Sequence, residues 1–361
     1  MVLAEIKIKE KLKRLLMSND SSFCILPWTG LHVFHTGHIA PCCRVRLPDL
    51  DPLFLKKATL LEQWNAPWLK ELRLNILQGK KSSVCTECYQ REASKERSFR
   101  QEHNHYFKSS FSLVHQTQAD GSFNKMPICH LIFSPSSLCP LQCRMCIYRG
   151  LAVPPSESSV KNQSIESHRV EEVLSLLEKG PIERISFGGG EPFILPASFK
   201  VIETLKRLKH FDSVLIYNTS LCTLEYQDRS VLEDLRDFNN LIFYVSIDGI
   251  KEHFNYIREG HDWNLLEKNL ETLREQLSHA QIKIAITVSL YNVFWLPEII
   301  DELLKKAQPN QFIFNLVYTP QVFNPMILTT EDKVFIKNKY YRYIKNLLLR
   351  MDYIDAVFLT R

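Results

Sequence analysis

From residue 130 to residue 350 the chain alternates short apolar runs with longer amphipathic segments, and this alternation limits the fold more than any other feature of its 361 residues. "HLIFS" (130–134) reads as a strand. "RVEEVLSLLEKG" places Val170, Val173, Leu174 and Leu177 at i, i+3, i+4 and i+7, which predicts a helix stopped by Gly180. The pattern then repeats. The strands are "ERISF", "SVLIYN", "LIFYVSID", "IKIAITVSL" and "FIFNLVY". The helices are "SFKVIETLKRLKHF", "SVLEDLRDF", the face marked by Leu266, Leu270, Leu273 and Leu277, "LPEIIDELLKKA" and "EDKVFIKNKYYRYIKNLLLR". About six strand–helix units in succession need crossover connections, hence a parallel α/β sheet with helices on its outside. Periodicity leaves two arrangements open, an open doubly wound sheet and an incomplete β/α barrel.

The first third differs. Cysteine pairs, Trp, Pro and His are scattered with little period, and the polar stretch "QTQADGSFNKMP" (116–127) reads as a linker. The expected domains are therefore 1–125, cysteine-rich, and 126–361, α/β. The opening "MVLAEIKIKEKLKRLLM" lacks a continuous apolar core, so it is no secretory signal; it reads as a solvated surface helix packed through Ile6, Leu12 and Leu16. No apolar run has membrane-spanning length. A net charge of +5 on this many residues does not point to nucleic acid.

Seven of the ten cysteines are closely spaced: Cys42–Cys43, Cys85-x2-Cys88, and Cys139-x3-Cys143-x2-Cys146. Without an export signal, such spacing indicates metal or cluster binding in a reducing, cytoplasmic compartment rather than a disulfide framework. The last array follows the first α/β strand, at the end of the sheet where such folds place their chemistry. A four-iron cube normally takes four thiolates. Three leave one iron open, and an open metal position marks a reactive site. The competing reading is zinc completed by a distant cysteine.

The C-x3-C-x2-C array resembles the radical S-adenosylmethionine (SAM) enzymes, in which the open iron chelates SAM and reductive cleavage releases a 5′-deoxyadenosyl radical. The resemblance implies a partial (β/α)6 TIM-like barrel. "ISFGGGEPF" resembles the family motif that holds the methionine amino group, through Gly188, Gly189, Gly190 and Glu191. "YVSIDG" places Ser246 and Asp248 at a strand end that contacts SAM in similar enzymes, and a plain Asp-Gly turn explains the same residues. Arg258 suits the SAM carboxylate, or is a surface arginine. Pro140 and Met145 depart from the residues common at their positions; Met145 retains the capacity to pack on the adenine edge.

"FCILPWTGLHVFHTGHIAPCCR" and "VCTECYQRE" supply Cys24, Cys42, Cys85 and Cys88, the first pair brought together by a hairpin near Gly37. The C-x12-G-x4-C element resembles the auxiliary-cluster domains called SPASM and twitch, although those domains usually follow the barrel. The resemblance implies a fully ligated auxiliary [4Fe–4S] cluster that relays electrons; a four-cysteine zinc site is the alternative. Cys43 reads as a bystander, Cys129 and Cys222 as core thiols, and His32, His35 and His38 as surface or pocket residues. Together the resemblances imply an oxidoreductase acting on a peptide or protein, or else on a small alcohol or sugar, with flavodoxin or ferredoxin as electron donor. A different class, a non-catalytic module that recruits a partner through a zinc-bearing first domain, stays open.

Overall fold

The structure, a computed structural model, describes residues 22–45, 57–147 and 164–351. The expected N-terminal helix with Ile6, Leu12 and Leu16 lies outside them. The described chain divides into two compact units. The first holds residues up to 138, 164–218 and 225–242; the second holds 139–147, 219–224 and 243–351. The strands are β1 (Gly30–Phe34), β2 (Ile39–Ala40), β3 (His130–Ser134), β4 (Arg184–Phe187), β5 (Val214–Thr219), a hairpin of β6 (Glu225–Tyr226) and β7 (Arg229–Ser230), β8 (Asn240–Ser246), β9 (Gln281–Val288) and β10 (Phe312–Leu316).

In the first unit the order is β5-β4-β3-β1-β2. β1 pairs parallel with β3 (Leu31 opposite Leu131), β3 with β4 (Leu131 opposite Ile185), and β4 with β5 (Ile185 opposite Leu215). β2 turns back antiparallel on β1 at Gly37, whose φ of +83° suits the turn. In the second unit β8, β9 and β10 are consecutive neighbours, with β9 and β10 parallel. Eight strands with flanking helices make this the partial β/α barrel class. β1 comes from the N-terminal side of the expected boundary near residue 125, yet it pairs with β3 beyond it.

The two faces of the first unit's strands differ in chemistry. Leu31, Val33, Leu131, Phe133, Ile185, Phe187, Leu215 and Tyr217 lie on one face, all buried. On this side Tyr217 stacks on Phe187 with ring centroids 4.6 Å apart. The helices Ser167–Glu178 and Pro196–Leu208 bury Val173, Leu177, Val201, Ile202 and Leu205. Each such side chain contributes about 1.5–3 kcal/mol when fully buried, so this layer provides the main stabilisation of the unit.

The opposite face includes buried polar side chains. His32 Nε2 meets Ser134 Oγ at 3.1 Å, and His130 Nε2 meets Ser186 Oγ at 2.9 Å. His103, from the helix Phe99–Tyr106, stacks on His130 at 4.9 Å with ring planes 6° apart. Burial holds all three imidazoles below their ordinary pKa, His32 down to about 3 and His103 to about 4. Nearer the N-terminus, the fully buried Arg73 ties its helix (Pro67–Leu77) to two other segments. Its Nε donates to Pro27 O and its Nη2 to Trp64 O, both at 2.9 Å, with the guanidinium 4.8 Å above the Trp64 ring.

In the second unit Phe254, Ile257, Leu266, Leu270, Leu273, Ile284 and Ile286 form the core, beneath the helices Lys251–Ile257 and Trp263–Gln276. Asp262 caps the latter by accepting from Leu265 N at 3.0 Å. Among the described residues no helix is long and apolar enough to cross a membrane.

Two outcomes follow from the buried polar groups. Arg73→Met leaves the Pro27 and Trp64 carbonyls without donors. It is expected to cost about 2–6 kcal/mol, at roughly 1–3 for each buried acceptor; urea denaturation measures this, and a loss near zero would show that the carbonyls are solvated. The imidazoles are neutral when folded and bind protons more readily when unfolded. Stability is therefore complete above pH ~6.5 and declines as pH falls toward 4. Denaturation midpoints between pH 7 and 4 test the slope, which His103→Phe should reduce.

Candidate functional site

The loop bearing Cys139, Cys143 and Cys146 lies in the second unit, and its backbone is held by residues 256–259. Gln142 N donates to Glu259 O at 2.7 Å and Arg144 N to Ile257 O at 2.9 Å. The Arg144 side chain reinforces this: Nε donates to Tyr256 O at 2.8 Å, the guanidinium lies 4.1 Å from the Tyr256 ring centroid, and Nη2 pairs with Glu259 at 3.3 Å. Cys146 N donates back to Cys143 O at 3.1 Å, which closes the turn between the last two thiols. All three cysteines are half-buried and free of disulfides. Met145, between them, is buried.

Beside this loop, Asp248 is fully buried. Its Oδ2 accepts from Arg258 Nε at 2.7 Å and Nη2 at 2.5 Å, and its Oδ1 accepts from Thr287 N at 2.6 Å. Asn292 Nδ2 donates to the Asp248 and Thr287 carbonyls, both at 2.9 Å. The remaining arm of Arg258 faces the cysteine loop, with Nη1 3.9 Å from Cys143 Sγ. Burial raises the Cys143 pKa and Arg258 opposes that rise. Asp248 and Arg258, both expected as SAM contacts, are paired with each other and reach Thr287 and Cys143 as well. Ser246, at the end of β8, is half-buried.

The glycine motif belongs to the first unit. Gly188 N donates to Phe133 O at 3.0 Å, Gly190 N to Ser136 O at 2.8 Å, and Glu191 N to Leu138 O at 2.9 Å. The strand end thus runs along residues 133–138, the segment that leads directly into Cys139. A Cβ on Gly189 would lie 2.3 Å from Ser136 O, and one on Gly190 would lie 1.8 Å from Leu138 O. Gly189 also has a φ of +101°. Backbone contact alone therefore demands glycine at both positions. At Gly188 a Cβ would meet only the Ser134 hydroxyl, at 3.2 Å. Glu191 is buried.

The second cysteine set lies within the first unit. Cys24 precedes the helix Leu26–Thr29, Cys42 follows β2, and Cys85 and Cys88 flank the start of the helix Thr86–Ala93. Cys24, Cys42 and Cys88 are buried and Cys85 is half-buried. Burial raises every one of these thiol pKa values, Cys85 to about 12; Cys85 and Cys88 raise Cys24 further, and Cys24 and Cys88 raise Cys42. Four thiols, three of them buried, are the donor type that a metal or cluster takes, and its binding would displace their protons. Arg100 braces the set, ion-paired to Glu92 and donating to Phe23 O at 2.7 Å. Cys43 is exposed. Among the described residues no group of three or more His, Cys, Asp or Glu side chains is arranged to hold a single metal ion.

Residues 133–310 match the family model described as the radical SAM superfamily. The matched stretch, a little under half of the chain, is similar to a radical SAM domain. It contains the three-cysteine loop, the glycine motif, Ser246, Asp248 and Arg258; Cys24, Cys42, Cys85 and Cys88 lie before it. Solved structures similar to the chain include anSMEcpe with bound AdoMet, at 22% identity over 53% of this chain and 52% of that one, with a TM-score of 0.42. Another is Streptococcus suis SuiB bound to precursor peptide SuiA, at 15% identity over 89% of this chain and 69% of that one, with a TM-score of 0.45. The chain thus spans about half the length of anSMEcpe. A search of curated proteins gives no significant match.

In the second unit Asn292 bridges the Asp248 turn to the end of β9. His32, placed on the surface or in a pocket, is buried against Ser134 beside the glycine motif.

Gly190→Ala is expected to displace Leu138 and, with it, the approach to Cys139. Thermal denaturation and iron per chain after reconstitution should both fall, whereas Gly188→Ala should change little. Equal tolerance of the two substitutions would contradict the backbone explanation.

Proposed function

We propose that the chain is a radical SAM enzyme with two iron–sulfur clusters that oxidatively modifies a peptide or protein side chain. The observation that carries the reading is the three-cysteine loop of the radical SAM domain. It presents three thiols without a fourth cysteine in the array and is fastened to residues 256–259 through backbone hydrogen bonds. In this reading Cys139, Cys143 and Cys146 hold a [4Fe–4S] cluster with one iron free of protein ligands. Gly188, Gly189, Gly190, Glu191, Met145 and Ser246 contact SAM. Asp248 and Arg258 act on the loop rather than on open solvent.

When bound, the cluster and SAM supply the electron and the 5′-deoxyadenosyl radical that abstracts a substrate hydrogen. The chain supplies position. The Arg144 and Gln142 amide contacts fix the loop's path, and the glycine motif fixes the segment before Cys139. Residues 1–125 form the auxiliary domain of this reading, in which Cys24, Cys42, Cys85 and Cys88 hold a second [4Fe–4S] cluster. Four sulfurs would close its coordination, which suits electron relay and a net oxidation of substrate. Flavodoxin or ferredoxin is the expected source of the first electron. A peptide is preferred over a small alcohol or sugar because of the SPASM-like spacing of Cys24, Gly37 and Cys42.

Anaerobic reconstitution with iron and sulfide, followed by SAM and dithionite, tests the reading. The expected product is 5′-deoxyadenosine, with about eight irons per chain from two four-iron cubes. Cys143→Ala should abolish SAM cleavage and keep the auxiliary iron. A fully loaded chain that yields no 5′-deoxyadenosine would overturn the enzyme assignment, and zinc in place of iron at the N-terminal cysteines would overturn the auxiliary cluster.

A further inference from the structure

The arrangement around Asp248 points to a role for Arg258 distinct from the SAM contact expected of it. We propose that Arg258 is a positioning residue that donates a charge-assisted hydrogen bond to the Cys143 sulfur and thereby raises the reduction potential of the cluster bound there. The inference rests on the assignment of Cys139, Cys143 and Cys146 as cluster ligands.

Three observations carry it. First, the guanidinium is divided between two partners. Nε and Nη2 are both committed to Asp248 Oδ2, which leaves Nη1 aimed at Cys143 Sγ, 3.9 Å away. Secondly, the direction of that arm is over-determined. Asp248 cannot turn, because its Oδ1 is held by Thr287 N and its backbone carbonyl by Asn292 Nδ2. The Arg258 backbone is fixed in turn by its own N–H to Phe254 O at 2.8 Å. Thirdly, the backbone next to Cys143 is anchored to the same segment, since Arg144 N is bonded to Ile257 O, one residue before Arg258. Loop and guanidinium therefore sit on a common frame. The Arg258 side chain is 12% exposed and Asp248 0%, so water screens the cation weakly.

The sign of the effect follows from charge. Reduction adds an electron to the cluster, and a hydrogen bond from a cation to a ligand sulfur stabilises the more negative state. Among the described residues, Arg258 is a cation that places a donor at the sulfur, and its partner Asp248 is held on the far arm of the same guanidinium. Lysine in its place would keep the charge but lose the fork, so it cannot hold Asp248 through two nitrogens and reach the sulfur with a third.

The test is a mediated redox titration of the reconstituted full chain with dithionite, followed by EPR. The signal that changes on addition of SAM belongs to the open-iron cluster and separates it from the auxiliary one. Arg258→Gln is expected to weaken the one-electron reduction equilibrium at least tenfold, a shift of about 59 mV to lower potential. Arg258→Lys should fall between this variant and the wild type, with iron per chain unchanged in both. A loaded Arg258→Gln cluster at the wild-type potential overturns the proposal and leaves Arg258 as a brace for Asp248. Should Arg258→Gln fail to take up iron, Arg258→Lys decides: a wild-type potential overturns the proposal and a lowered one supports it. A wild-type chain with no SAM-responsive signal removes the cluster assignment itself, and this inference with it.

Discussion

Much of the second unit is organised by one buried carboxylate. Taking Asp248 wholly out of water is costly unless its charge is matched and its lone pairs are filled. Both conditions are met by groups from separate parts of the chain: the Arg258 guanidinium, the Thr287 amide and, at the adjoining carbonyl, Asn292. The strand end at β8, the turn after β9 and the helix Lys251–Ile257 are joined through this residue. A mismatch in any of them would leave an unpaired charge inside. The ion pair therefore specifies a unique arrangement more than it adds stability, and the cysteine loop inherits that definition through its bonds to residues 256–259.

The first unit reaches definition by a different route. Its apolar face is filled by large side chains, whereas its polar face satisfies histidine with serine across neighbouring strands. At the C-terminal end of β4 the decisive factor is the absence of side chains. Gly189 and Gly190 let two backbones run within van der Waals contact, so the path into Cys139 depends on residues some fifty positions later in the chain. Removing Cβ atoms here serves the protein itself, before any ligand is considered.

Much of this was legible in the sequence. The alternation from residue 130 onward marked each long strand and helix because a buried sheet under amphipathic helices imposes two distinct periods. The hairpin at Gly37 was also marked. What was not visible was its partner: strand pairing is non-local, and nothing in "GLHVF" announces that it will lie beside "HLIFS" a hundred residues away. The same limit applies to the site. Asp248 and Arg258 were each legible as polar groups at and after a strand end, but their pairing was not, since neither carries a sign that it will neutralise the other. The glycine motif was legible as a motif, but its packing against the chain at 136–138 was not. Cysteine spacing was the most informative signal, as thiols are rare enough for their intervals to carry meaning.

The placement of β1 and β2 has a consequence for how the chain tolerates damage. β2 returns antiparallel along β1, so Cys24 and Cys42 flank the same end of a hairpin that covers the outer edge of β3. Whatever loosens that thiol group frees the hairpin and bares a row of backbone donors and acceptors on a strand whose five side chains are all buried. An uncovered strand of this kind is a template for pairing with another copy. Oxidation or thiol alkylation is thus expected to reveal itself first as self-association, ahead of general unfolding.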